Sequence, residues 1–171
     1  GVQTCALPIL LINDGKANFT RATDIPSLLR SKSIVRNADI DADGDQDLFI
    51  GTAFIPTRYP EPGSSYVLRN DSKNGIIKFT DITSSICPGF KTLGLVRDAL
   101  WMDADNDKDP DLFVTGTWMG IHYFENKNGK LEEKQTALTK QTGWWNTLSA
   151  SDLDQDGDMD LIAGNFGTNG Y

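Results

Sequence analysis

The chain has 171 residues, enough for one domain with a sizeable core, and a formal net charge of −8. This acidic balance argues against nucleic acid as a partner, because nucleic-acid binding requires a basic face. No apolar run reaches the roughly 18 residues that a transmembrane helix needs, and two cysteines are too few for a disulfide framework.

The first residues of the chain, Gly-Val-Gln-Thr-Cys-Ala-Leu-Pro-Ile, resemble the in-frame translation of a common sequencing-library adapter. We therefore predict that residues 1–9 are a non-native, adapter-derived segment, and we leave them out of the fold reasoning. The alternative is a natural strand, because residues 6–12 are apolar. The native fold is predicted to occupy residues 10–171.

Short strand-like runs separated by turn residues follow in chain order. Residues 10–12, the turn Asn13-Asp14-Gly15 and residues 18–21 predict a hairpin. From Ser33 onward the chain repeats a plan of four strands per unit. The predicted strands of the first unit are 34–38, 47–53, 66–70 and 76–83, those of the second unit are 97–102, 111–117, 121–126 and 130–134, and the third unit contributes 147–151 and 160–164.

Each unit has an Asp-rich loop between its first and second strands, at residues 39–47, 103–111 and 152–160. Asp occupies positions 1, 3, 5, 7 and 9 of every loop, Leu follows at position 10, and two loops have Gly at position 6. Carboxylates this dense repel one another unless a hard cation lies among them, and calcium binds about six to eight oxygens. The predicted metal residues are Asp39, Asp41, Asp43, Asp45, Asp47, Asp103, Asp105, Asp107, Asp109, Asp111, Asp152, Asp154, Asp156, Asp158 and Asp160.

We assign calcium ligation to the side chains at positions 1, 3, 5 and 9 and to the backbone carbonyl at position 7. The loops are not EF-hands, because position 12 is apolar (Ile50, Val114, Ala163) instead of a bidentate Glu. We predict up to three Ca²⁺ ions, with the middle site the weakest, because Lys108 replaces Gly and Pro110 stiffens the exit. The alternative is a solvated acidic turn without a metal.

Asp loops that close at position 9 and are flanked by strands resemble the calcium loops of FG-GAP/VCBS repeats, which belong to integrin-α-type β-propellers. Residues 94–101, 143–146 and 164–169 are similar to bacterial secreted VCBS-repeat proteins related to cartilage acidic protein. The resemblance implies an all-β fold of four-stranded antiparallel blades, and loop spacings of 64 and 49 residues suit propeller blades. We therefore expect a fragment of a seven-bladed β-propeller, with two whole and two partial blades, whose neighbours are the remaining blades of the same propeller.

Strand alternation places the Asp loops at one face of this fold, and the loops joining strands two to three and four to one at the other face. The second face collects the candidate ligand-binding residues Tyr59, Trp118, Trp144, Trp145 and Asn165. Aromatic rings with nearby amides suit a sugar ring or the hot spot of a protein partner. The alternative is that Trp144 and Trp145 pack between blades.

These features predict a calcium-binding repeat domain that serves as an extracellular binding or adhesion scaffold for carbohydrate or protein ligands, with structural metals. Such calcium sites fill at millimolar concentrations, so we expect an extracellular, cell-surface or periplasmic location, with any signal peptide upstream of this fragment. The alternative is the propeller domain of a carbohydrate-active enzyme, a polysaccharide lyase or glycoside hydrolase, using Glu61, Asp98 or Arg97. We predict no enzyme, because no catalytic constellation is visible and the lone His122 suits a structural role.

Overall fold

The computed structural model describes residues 10–26, 28 and 32–167. Over this part of the chain the fold consists of antiparallel β-sheets with very little helix, so the predicted all-β class is confirmed. No helix in these ranges is long and apolar enough to cross a membrane. The predicted adapter-derived segment, residues 1–9, lies outside the described residues, as do residues 168–171.

The first described element is a hairpin. Strand β1 (Leu11–Asn13) pairs antiparallel with β2 (Phe19–Arg21), as the sequence predicted. The carboxylate of Asp14 accepts the backbone N–H of Lys16 at 2.8 Å, which closes the turn through a local side-chain contact. Turns closed in this way can be predicted from a few neighbouring residues.

The first whole unit is a four-stranded antiparallel sheet whose strands lie side by side in chain order. Its second and third strands contribute the fully buried Phe49 and Val67, which face each other in register. This burial accounts for the short apolar runs at residues 48–50 and 66–68 in the two central strands. The strands are β3 (Lys32–Ala38), β4 (Asp47–Thr52), β5 (Tyr66–Asn70) and β6 (Phe79–Asp81).

The fourth strand of this sheet is shorter than predicted. The sequence predicted a strand over 76–83, whereas β6 ends at Asp81 and a single turn of helix, α1 (Thr83–Ile86), follows. The carboxylate of Asp81 accepts the N–H of Thr83 at 3.0 Å, and the Thr83 hydroxyl accepts the N–H of Val67 at 2.9 Å. Side chains thus replace a backbone ladder bond and turn the chain out of the sheet.

The second whole unit has the same strand order as the first, and the third unit contributes two strands. Strand β11 pairs with β12 and also, at its start, with the end of β8 through Gly143 opposite Met119 and Trp144 opposite Thr117. The second and third units therefore form one continuous six-stranded sheet. The strands are β7 (Leu95–Met102), β8 (Asp111–Met119), β9 (His122–Asn126), β10 (Leu131–Lys134), β11 (Gly143–Ser151) and β12 (Asp160–Asn165).

Among the first strands of the three units, β7 packs against both β3 and β11. Each has a β-bulge near its start, where one residue is skipped in the pairing with the next strand. The skipped residues are Ser33, Arg97 and Asn146, at one equivalent position per unit. Bulges of this kind redirect a side chain at the end of a sheet.

A wedge of aromatic rings holds the first two sheets together. Phe90 lies in a 3₁₀ turn (Pro88–Thr92), and its ring contacts Phe49 of the first sheet and Phe124 of the second at centroid distances of 5.4 and 4.9 Å. All three side chains are buried in one cluster. The segment between β6 and β7 therefore supplies the core between the units.

Candidate metal centres and the opposite aromatic face

Each Asp loop brings three carboxylates together. In every loop one oxygen from each of three Asp side chains lies within 4.8 Å of the other two. Two oxygens bound to one calcium ion at about 2.3–2.6 Å can be at most about 5 Å apart, so oxygens within 4.8 Å of one another are close enough to share an ion. The three groups are Asp39, Asp41 and Asp43; Asp103, Asp105 and Asp111; and Asp152, Asp154 and Asp160.

The loops turn at position 6, where two of them have Gly. Gly44 and Gly157 have φ of +94° and +99°, and Lys108 adopts +76° at the same position of the middle loop. The N–H of each position-6 residue donates to the carboxylate at position 1, for example from Lys108 to Asp103 at 3.0 Å. Lys108 therefore preserves the shape of the middle loop in a backbone conformation that favours glycine.

A second left-handed residue lies at position 4 of each loop. Ala42, Asn106 and Gln155 have φ of +57°, +60° and +64°. Their residue types carry no common sequence signal, so this feature was not predictable from the pattern. The Asn106 amide also donates to Asp158 of the third loop at 2.5 Å, which brings the second and third loops into contact.

The carboxylate at position 9 anchors each loop to its sheet. Asp111 is buried, and its two oxygens accept the N–H of Ala104 at 3.1 Å and of Asn126 at 2.8 Å. Asp47 makes the equivalent pair of bonds in the first loop. Asp160 accepts the N–H of Leu153 at 2.9 Å in the third. Position 9 belongs to the converging group of the second and third loops, through Asp111 and Asp160, whereas Asp47 lies outside the converging group of the first loop.

The carboxylates at position 5 stabilise the turn itself. The position-5 residues Asp43, Asp107 and Asp156 accept the N–H of the residue at position 7 at 2.9–3.1 Å. Among these only Asp43 belongs to one of the three converging groups. The position-7 residues are Asp45, Asp109 and Asp158.

The charge distribution of the loops fits a bound cation. Burial, followed by the charges of Asp43, Asp41 and Asp39, raises the pKa of Asp45 above its usual value. One oxygen of Asp45 and one of Asp103 are buried without a hydrogen-bond partner. Anionic oxygens in that state are costly unless a cation compensates them. An all-carboxylate donor set suits a hard ion such as Ca²⁺.

At the other end of the strands, aromatic rings form a continuous row across the three units. Successive ring centroids, from Phe54 through Tyr59, Trp118 and Trp144 to Phe166, are 5.6, 6.1, 6.4 and 5.5 Å apart. Tyr59, Trp118 and Phe166 are each more than half exposed. The row brings together three of the predicted ligand-binding residues and adds two phenylalanines that sequence reasoning missed.

Trp118 takes part in this row with an unfavourable backbone conformation. Its φ is +60°, which is rare for a bulky side chain, and its ring lies nearly parallel to that of Trp144 at an interplanar angle of 11°. Strained backbone that presents an exposed aromatic ring is typical of a functional site.

The other two predicted ligand-binding residues have structural roles. The Trp145 indole donates to the carbonyl oxygen of Gln141 at 2.9 Å, and its ring packs on the buried cluster of the second and third units. The Asn165 side chain accepts the N–H of Gly167 at 2.9 Å. Trp145 therefore packs between units, which was the alternative considered for it. Asn165 stabilises the turn that contains Phe166.

A surface pocket of about 290 Å³ lies at one end of the aromatic row. It is lined by Arg97, Trp144, Asn146 and Phe166. Arg97 and Asn146 are the bulge residues of β7 and β11, so the bulges direct polar side chains into the pocket. The sequence gives no direct sign of these bulges.

The carboxylates considered for an enzyme are already engaged. Asp98 is buried and accepts Arg36 of β3 at 2.5 Å through one oxygen and the N–H of Leu148 of β11 at 2.9 Å through the other. Glu61 pairs with Arg58 at 2.7 Å. Asp98 thus links the first strands of three units, a role that explains its burial.

The model of the FG-GAP-like repeat matches residues 39–114 and 103–163, which together span more than half of the chain. The chain belongs to the FG-GAP-like repeat family. The predicted family is confirmed, and the two matches begin at the first Asp of the first and second loops. Domains of the FG-GAP family are typically non-catalytic scaffolds and are usually extracellular or periplasmic. A comparison with curated proteins found no match.

Proposed function

We propose that this FG-GAP domain is a calcium-stabilised extracellular scaffold for binding or adhesion, with carbohydrate or protein as ligand. The observation that carries the proposal is the convergence of three carboxylate oxygens within 4.8 Å in each of three loops. A converging group recurs at the same end of each strand pair, and positions 1 and 3 contribute to all three groups, which supports a shared requirement of the repeat.

The residues that would hold the ions are the three converging groups, together with the position-7 backbone. Calcium bound there neutralises the carboxylates and, through Asp111 and Asp160, ties the second and third loops to the strands that leave them. Three Ca²⁺ ions carry six positive charges and would change the net charge from −8 to −2. The unfolded chain lacks these sites, so metal binding adds to the free energy of unfolding.

The exposed aromatic row supports a ligand face away from the metals. Trp118 lies seven residue steps along β8 from Asp111 of the middle loop, a distance of about 23 Å at about 3.3 Å per residue. A structural role for the metals and a binding role for the aromatic face are therefore spatially separate. Calcium at extracellular concentrations suits an extracellular, cell-surface or periplasmic location.

Exposed apolar side chains support further blades as neighbours within the same propeller. Leu11 and Phe19 of the first hairpin are 53% and 58% exposed. At the third unit, Leu153, Met159 and Ile162 are 62%, 45% and 45% exposed. Adjacent blades of a seven-bladed propeller would bury these side chains.

The stoichiometry of calcium binding tests the proposal. Equilibrium dialysis of the full chain, followed by elemental analysis, is expected to give three bound ions, or two if the middle loop is empty. Replacing Asp39 with Ala should remove one ion, whereas replacing the solvent-facing Asp24 should remove none. A chain that binds no calcium at millimolar concentrations would overturn the proposal.

A further inference from the structure

The pocket at the end of the aromatic row combines a cation, an amide and two aromatic rings. Arg97 and Asn146 supply the polar groups, and Trp144 and Phe166 supply the rings. The backbone N–H of Phe166 donates to the carbonyl oxygen of Trp144 at 2.9 Å, which fixes the two rings relative to each other. Among the described residues, no acidic side chain lines the pocket.

The charge of Arg97 is available to a ligand. Its Nε donates to the hydroxyl of Thr117 at 3.1 Å, which orients the guanidinium and leaves its two terminal nitrogens for other contacts. None of the ion pairs between described residues includes Arg97. By contrast, Arg36, Arg58 and Arg69 are each paired with a carboxylate.

The surroundings of Arg97 favour an anion. The Asp loops hold 15 of the 24 acidic residues, and they lie at the opposite strand ends. A separation of about 20 Å exceeds the Debye length of about 8 Å at physiological ionic strength, so their charge is largely screened at the pocket.

The shape of the surface distinguishes a sugar polymer from other anions. The rings of Tyr59, Trp118 and Trp144 continue from the pocket in a row whose members are about one sugar-ring width apart. Apolar faces of pyranose rings pack on aromatic faces, and a guanidinium binds a carboxylate through two parallel N–H groups. A chain of sugar rings could contact the row while one carboxylate reaches Arg97.

We propose that the pocket lined by Arg97, Trp144, Asn146 and Phe166 binds the carboxylate-bearing ring of an acidic polysaccharide. Arg97 contacts the carboxylate, Asn146 contacts ring hydroxyls, and the aromatic row holds the neighbouring sugars. This inference rests on the proposed ligand face and names the ligand class that the face selects.

Isothermal titration of the full chain in millimolar calcium tests the inference with two probes. One probe is a glucuronic acid oligomer, and the other is the glucose oligomer of the same linkage and length, which lacks the carboxylates. The acidic oligomer is expected to bind roughly 10- to 100-fold more tightly, because hydrogen bonds to charged groups contribute that much to affinity. Its affinity should fall with added salt.

Two matched variants locate the contact. Arg97→Gln retains a hydrogen-bonding side chain and is expected to abolish the preference for the acidic oligomer. Arg58→Ala removes another exposed arginine, one that pairs with Glu61, and is expected to leave binding unchanged. Melting curves in calcium verify that both variants fold. If Arg97→Gln does not fold, Asn146→Ala serves as a second pocket variant.

Several outcomes would overturn the inference. Equal affinity for both oligomers would leave the ligand face intact but exclude selection of an acid. Equal loss in Arg97→Gln and Arg58→Ala would indicate diffuse charge attraction. If the chain binds neither oligomer but still binds three calcium ions, the polysaccharide inference is rejected. The calcium-stabilised scaffold then remains supported, and the aromatic face would bind a protein ligand instead.

Discussion

Replacing Lys108 with Gly tests whether the middle loop is built like the other two. Lys108 has φ of +76°, whereas Gly44 and Gly157 hold the equivalent position with φ near +95°. The left-handed conformation costs a non-glycine residue about 1–2 kcal/mol, and glycine adds about 0.4–1 kcal/mol of unfolded-chain entropy. We therefore expect Lys108→Gly to raise the free energy of unfolding by about 0.5–1 kcal/mol.

The same substitution should strengthen calcium binding in the middle loop. Lys108 places a positive charge among five aspartates, and its N–H bond to Asp103 does not depend on the side chain. Because Lys108 is exposed, its electrostatic effect is below about 1 kcal/mol, or about fivefold in affinity. Calcium titration calorimetry measures this gain.

The reverse change in the first loop is the matched control. Gly44→Lys should lower the free energy of unfolding by about as much as Lys108→Gly raises it, when both are measured by urea denaturation in EGTA. If Lys108→Gly is neutral or destabilising while Gly44→Lys is tolerated, then backbone strain at position 6 is not what distinguishes the loops.

Two further substitutions test how the units are joined. Phe90→Ala should destabilise the chain by about 3–5 kcal/mol, because the ring is fully buried between Phe49 and Phe124; urea denaturation measures this, and a loss below about 1 kcal/mol would contradict the wedge. Asp98→Asn should lower the free energy of unfolding by about 2–4 kcal/mol, because the NH₂ group of the amide would face an N–H donor that the carboxylate now accepts. The same substitution should cost much less in an Arg36→Ala background if the two side chains act as a pair.

Local patterns predicted the metal loops and most strands. The alternate aspartates, the glycine at position 6 and the apolar strand that follows all act within about ten residues, so their physical meaning is visible in the sequence. The structure differs from the prediction where a contact between residues far apart in the sequence determines where a strand ends, as at the end of β6. There the Thr83 hydroxyl binds the N–H of Val67 in another strand and ends the ladder early.

The aromatic face was predicted only in part, for a related reason. Tyr59, Trp118 and Trp144 were assigned by the end of the sheet that their loops occupy, and the structure joins them in one row. Trp145 follows Trp144 directly, but strand alternation turns it toward the core. Arg97 was noted as a candidate residue for an enzyme. Its position in the pocket depends on a β-bulge, however, and no residue type in the sequence indicates that bulge.

The melting temperature of the full chain, with and without calcium, tests the central claim most directly. At a calcium concentration a hundred times the dissociation constant, each site adds about 2.7 kcal/mol, which corresponds to at least about 5 °C for a chain of this size. We predict that excess EGTA lowers the melting temperature by at least this amount, that calcium restores it, and that magnesium restores it less well. An identical melting curve in EGTA and in millimolar calcium would contradict the account.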